Sequence, residues 1–137
     1  MSKLKIGLLL VCVALCQTIF AEVVEIDEEG LKQLMAAGVP VIDVRTPGEW
    51  NKTGIVGGSI PIMFFDEKRK PQAQQWMQEA EEYIQPEREL AIICRTGNRS
   101  KTVADFLTNQ HGYKKVYNVT GGITNWLAKG NKTVEVK

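Results

Sequence analysis

From Val23 to Val136 the apolar positions switch repeatedly between two periods, and the switches define the elements. Val23, Val24 and Ile26 predict a short first strand. Asp27 can cap a helix whose Leu31, Leu34 and Met35 share one face, with Gly38 at its end. Val39–Val44 is apolar apart from Asp43, the pattern of a strand buried on both faces. Pro47 opens a helical turn through Trp50, and Gly54, Gly57 and Gly58 mark a bend before a short strand at Ser59–Ile62 whose pairing Pro61 limits. Asp66–Lys70 reads as a charged, solvated stretch. Pro71 then opens a helix through Tyr83, with Ala73, Trp76, Met77, Ala80, Tyr83 and Ile84 on a packed face.

Leu90–Ile93 predicts a second fully buried strand, Cys94–Arg99 a loop, and Ser100–Gln110 a helix turning Val103, Ala104, Phe106 and Leu107 inward. Val116–Val119 is a further strand. Gly121-Gly122 leads into a last short helix containing Trp126, and Thr133–Val136 a brief edge strand. Strands alternating with helices predict an α/β fold with a central, mainly parallel sheet flanked by helices.

Residues 1–21 follow a different rule. Lys3 and Lys5 precede eleven uninterrupted residues without polar side chains, Ile6–Cys16, and Ala21 is a small residue suited to cleavage. This is the tripartite pattern of a secretory signal peptide, too short for a spanning helix. The expected organisation is therefore a signal peptide at 1–21 and one domain at 22–137, periplasmic or secreted, with no stable membrane anchor after cleavage. Leu15 before Cys16 argues against lipid attachment at that cysteine. Asn51, Asn98, Asn118 and Asn131 stand in glycosylation sequons, which a bacterial periplasm would leave unused.

Composition narrows the chemistry. A formal net charge of +1 gives no reason to expect nucleic acid as a partner. A single histidine, His111, excludes a His-rich metal site, and no cofactor is implied. Removal of the leader would take Cys12 and Cys16 and leave Cys94 alone. Disulfides are the common use of cysteine in exported proteins, so a lone thiol points to chemistry or to a small buried hydrophobe.

The surroundings of Cys94 favour chemistry. A buried strand delivers it to the carboxyl edge of the sheet, where ligands bind in open α/β folds. A helix follows, with free N–H groups at its start. If the loop curls, its amides can converge on the sulfur; Gly97 permits the bend, and Arg95 and Arg99 add positive charge. These features favour a thiolate nucleophile that needs no separate base.

Three segments resemble the rhodanese family of sulfurtransferases: Val41–Trp50 its opening strand and turn, Cys94–Ser100 its active-site loop, and Gly121–Trp126 its closing motif. The resemblance implies that Cys94 takes sulfane sulfur from a small anionic donor such as thiosulfate and passes it to cyanide or a thiol. It makes Arg95 and Arg99 supports for the donor and loop, and Thr96, Gly97 and Asn98 suppliers of backbone N–H groups. Asp43 and Arg45 would hold the fold, and Trp126 would pack. The segment Thr53-Gly54-Ile55 lacks the family's structural histidine. Four residues separate Cys94 from Arg99. Cysteine phosphatases use a loop one residue longer, so the shorter ring favours sulfur as the bound group. A non-catalytic sulfur carrier is the alternative reading. A thiol redox role lacks a second cysteine to resolve a disulfide.

Overall fold

The computed structural model describes residues 20–137. The signal-peptide expectation therefore falls almost wholly outside the described residues. The elements run β1 (Glu22–Ile26), α1 (Glu28–Ala36), β2 (Val41–Asp43), α2 (Pro47–Thr53), β3 (Ile60–Pro61), α3 (Ala73–Ala80), β4 (Leu90–Ile93), α4 (Asn98–Gln110), β5 (Lys115–Val119) and α5 (Gly122–Ala128). All sheet pairings are parallel, in the order β1-β5-β4-β2-β3. The chain's first strand thus pairs with its last, and β4 sits at the centre.

Every residue of β4 is fully buried. Its side chains alternate between two cores, as a pleated strand requires. Leu90, Ile92 and Cys94 face Trp76, Ala80, Val103, Ala104 and Leu107 from α3 and α4. Ala91 and Ile93 face Leu31, Ile123 and Trp126 from α1 and α5. Helices therefore cover both faces, the reason β2 and β4 lack polar alternation. Phe64 adds edge-on contacts with Phe65, Trp76 and Phe106, at centroid distances of 4.9, 5.4 and 5.4 Å.

Local signals explain the helix ends. Asp27 caps α1 by accepting the Gly30 N–H at 2.8 Å. Thr46 and Glu49 form a reciprocal capping box on α2, with Pro47 in its first turn. Helix α4 starts two residues earlier than expected, because left-handed Gly97 (φ 100°) is its N-cap rather than a polar side chain. Helix α3 ends at Ala80, short of the expected Tyr83; a turn follows, and Tyr83 is half exposed rather than part of the packed face. The expected C-terminal strand contracts to a single antiparallel bridge between Ile55 and Val134.

Asp43 and Arg45 are buried together and paired. Arg45, 1% exposed, forms an ion pair with Asp43 at 2.8 Å and donates to Thr53 Oγ1 and the Gly54 carbonyl. Trp50 Nε1 also donates to Asp43. This cluster bears out the fold-holding role expected of Asp43 and Arg45. Trp126 packs in the second core and donates to the Lys132 carbonyl. Among the described residues, no helix is long and apolar enough to cross a membrane, and no cluster of His, Cys, Asp or Glu is suited to hold a metal ion.

Candidate active site

Strand β4 ends at Ile93, and Cys94 is the next residue, at the carboxyl edge of the sheet. The loop then reverses through Gly97 into α4. A β-carbon at Gly97 would press on the Val119 carbonyl and Gly121 N–H, so this turn fits a residue without one. The Gly97 N–H donates to Cys94 Sγ at 3.1 Å.

Helix α5 fixes the loop from behind. Its Ile123 and Thr124 N–H groups donate to the carbonyls of Cys94 and Arg95 at 2.9 and 3.1 Å. These helix-start donors have no partner within α5 and find one in the loop. Gly122 (φ 50°) permits the contact: a β-carbon there would overlap both carbonyl groups. The paired glycines at the start of α5 are therefore part of the loop's seating.

The second partner of the sulfur was not legible in the sequence. Ser100 Oγ lies 3.2 Å from Cys94 Sγ and 2.5 Å from Asn118 Oδ1. Asn118 Nδ2 donates to Glu25 at 2.8 Å and to the Gly97 carbonyl at 3.1 Å. Those two acceptors orient the amide, so its oxygen faces Ser100 and accepts the hydroxyl proton. The Ser100 oxygen is then left to accept from the thiol S–H. On ionisation, one rotation of the hydroxyl turns its proton toward the sulfur. Asn118 is buried within this chain, so its sequon cannot carry a glycan in the folded protein.

Cys94 itself is 1% exposed. Two expectations are corrected. The converging cradle reduces to one amide: only the Gly97 N–H reaches the sulfur, whereas Thr96 and Asn98 line the cleft above. Arg99 does not close on the sulfur either. Its guanidinium grips Glu49 with two bonds, 2.8 and 2.6 Å long. This bidentate pair holds the Glu49 carboxyl down at about 2, the Arg99 hydrogen bond outweighing the cost of burial. Glu49 in turn raises the Arg99 pKa, with a smaller charge effect from Cys94. Arg99 ties the loop to α2 through this pair. Arg95 is exposed and lines the cleft.

Above the loop lies a cleft of about 690 Å³, walled by α2, by Phe65–Arg69 and by Arg95–Arg99. The stretch Asp66–Lys70, expected to be plain solvated surface, is a tight hairpin at its rim. His111 is the C-cap of α4 and packs against Phe106 with the rings tilted by 55°.

The description "Rhodanese-like domain" matches residues 27–129, from the cap of α1 to the end of α5. The chain belongs to the rhodanese-like family. This rhodanese-like chain is 36% identical over 108 residues to a sulfurtransferase of Allochromatium vinosum, covering 77% of this chain and 90% of that protein. It is 29% identical over 109 residues to thiosulfate sulfurtransferase 18 of Arabidopsis thaliana, covering 77% and 79% of the two chains. A chloroplastic rhodanese-like/PpiC domain protein of the same plant is 32% identical over 95 residues, but the chain spans only 29% of its length. A rhodanese-related protein from Thermoplasma volcanium superposes with a TM-score of 0.59 at 28% identity, over 81% of this chain and 97% of that one. These relatives support rhodanese-type sulfur transfer in general for this chain.

Proposed function

We propose that the protein is a thiosulfate sulfurtransferase working through a persulfide on Cys94. The carrying observation is the placement of Cys94 at the carboxyl end of β4, in a four-residue loop before Arg99, with the Gly97 N–H on its sulfur. In the first half-reaction the Cys94 thiolate attacks the outer sulfur of thiosulfate. The new S–S bond forms on Sγ as the old one breaks, and sulfite leaves with the electron pair. In the second, cyanide or a thiolate attacks that outer sulfur, and the electron pair returns to Cys94 Sγ. The Gly97 amide supports negative charge on Sγ at both ends of the cycle. The rotating Ser100 hydroxyl exchanges its Asn118 bond for one to the sulfur.

Relatives named as sulfurtransferases support the general reaction; thiosulfate as donor and cyanide or a thiol as acceptor are the finer reading. The N-terminal pattern supports export to the periplasm or outside the cell, with the domain at 22–137 acting there.

Incubation with thiosulfate followed by intact-mass measurement and a cyanide-dependent thiocyanate assay tests the reading. Wild-type protein is expected to gain one sulfur atom and turn over; Cys94→Ser is expected to do neither. Equal silence of both proteins, with no added sulfur, would overturn it. The alternative, a sulfur carrier, would load sulfur without releasing thiocyanate.

A further inference from the structure

The cleft lined by the loop that follows Cys94 is larger than a small inorganic anion requires, and its charges are unevenly engaged. Four cations line it, Lys52, Arg69, Arg95 and Arg99, against Glu49, Asp66 and Glu67. Arg99 and Glu49 neutralise each other. Asp66 is engaged within its own hairpin: Oδ1 accepts the Lys68 and Lys70 N–H groups at 2.9 and 2.8 Å, and Oδ2 accepts from Gln72 at 3.3 Å. Among the described residues, none of Lys52, Arg69 or Arg95 forms an ion pair. Three unpaired cations from three different segments thus face one free carboxylate, Glu67.

Arg69 stands out further. It is the only non-glycine residue among those described with positive φ, at 62°. That region is disfavoured for a residue with a β-carbon, and asparagine or glycine would occupy it more easily. The hairpin enforces it: Asp66 N–H bonds to the Lys70 carbonyl at 2.9 Å and Arg69 N–H to the Asp66 carbonyl at 2.8 Å. A bridge between Phe65 and Pro71 closes its base. Arg69 is therefore held at the rim on a braced turn, and backbone strain of this kind gathers at functional sites.

We propose that Arg69 is a specificity-determining residue, acting with Lys52 and Arg95 to select an acceptor thiol that carries carboxylates. This rests on the sulfur-transfer reading above. The cations hold the acceptor's carboxylates at the rim while its thiolate bonds to the outer sulfur of the Cys94 persulfide. The bond from that sulfur to Sγ breaks, and the electron pair remains on Cys94.

The test separates the two half-reactions. Full-length protein as isolated is loaded with thiosulfate, freed of excess donor, and discharged in a single turnover by mercaptosuccinate or by neutral 2-mercaptoethanol, with rates compared per thiolate. Wild type is expected to prefer mercaptosuccinate by about tenfold, a preference that shrinks in ~1 M salt as screening shortens to ~3 Å. Arg69→Gly keeps a residue suited to positive φ, so the hairpin persists, and is expected to lose most of the preference. Arg69→Lys, which retains the charge, is expected to recover part of it. A wild type without preference, or Arg69→Gly with the wild-type ratio, overturns the proposal while leaving sulfur transfer intact. Failure to load sulfur at all overturns both, and the mass spectrum identifies that case before any acceptor is added.

Discussion

Glu49 serves two structures with one carboxylate. Its Oε2 accepts the Thr46 N–H at 3.1 Å, completing the cap of α2, and the same carboxylate receives both bonds from Arg99. Its pKa is lowered to about 2 in the fold, so the contribution to stability is present above the ordinary carboxylate range. It is lost as pH falls from roughly 4.5 toward 2. Glu49→Gln is expected to cost about 1–2 kcal/mol at neutral pH. Urea unfolding at pH 7, 4 and 2 should show wild type and variant converging at the acid end; a constant gap would show that the ion pair is not its source. At this scale the sequence exposed Cys94 and its loop, because those residues are consecutive. It did not expose the chain from Cys94 through Ser100 and Asn118 to Glu25. Glu25 and Asn118 lie 93 positions apart and meet only because β1 and β5 pair with those two residues in register. The partner of Arg99 was hidden for the same reason, since Glu49 lies 50 positions away.

Helix α5 governs the loop as an element. Its first N–H groups hold the Cys94 and Arg95 carbonyls, so its approach fixes where the sulfur points. Gly122→Ala would drive a methyl group into those carbonyls and strain a positive φ. A loss of about 2 kcal/mol or more is expected, together with slower sulfur loading. Denaturant midpoints and loading rates measured on the same preparation check this; unchanged loading in a folded variant would show that α5 does not seat the loop. Elements were legible wherever a buried run or cap stood alone, as in β4 and α1. They were less so where backbone geometry set the boundary. Helix α4 begins on a left-handed glycine with no side chain to announce it. The hairpin at Asp66–Lys70 carries the charge pattern of ordinary surface, and the Phe65–Pro71 bridge at its base sets it beside the cleft.

At the scale of the molecule, the sheet order joins distant parts of the chain. Alternation of strands and helices sufficed to infer a parallel sheet, but not which strands neighbour which, since that depends on contacts between opposite ends. The C-terminal segment extends the same logic. Val134 exchanges two backbone bonds with Ile55, at 2.9 and 2.8 Å, and Thr133 Oγ1 donates to the Thr53 carbonyl at 2.7 Å. These contacts brace the end of α2, the helix that carries Glu49 toward Arg99. Val134→Pro removes the donor to the Ile55 carbonyl and is expected to cost about 1–2 kcal/mol. Hydrogen exchange should then quicken at Ile55 and along α2; exchange unaltered there would mean the tail is not a brace.

Under the export proposed above, the near-complete enclosure of Cys94 carries a consequence for survival outside the reducing cytosol. With no second cysteine in the domain, a freely accessible thiol would be captured by other proteins as a mixed disulfide and could not release itself. At 1% exposure, the sulfur presents almost no surface to a folded partner. The same enclosure is expected to shield the nucleophile from that capture.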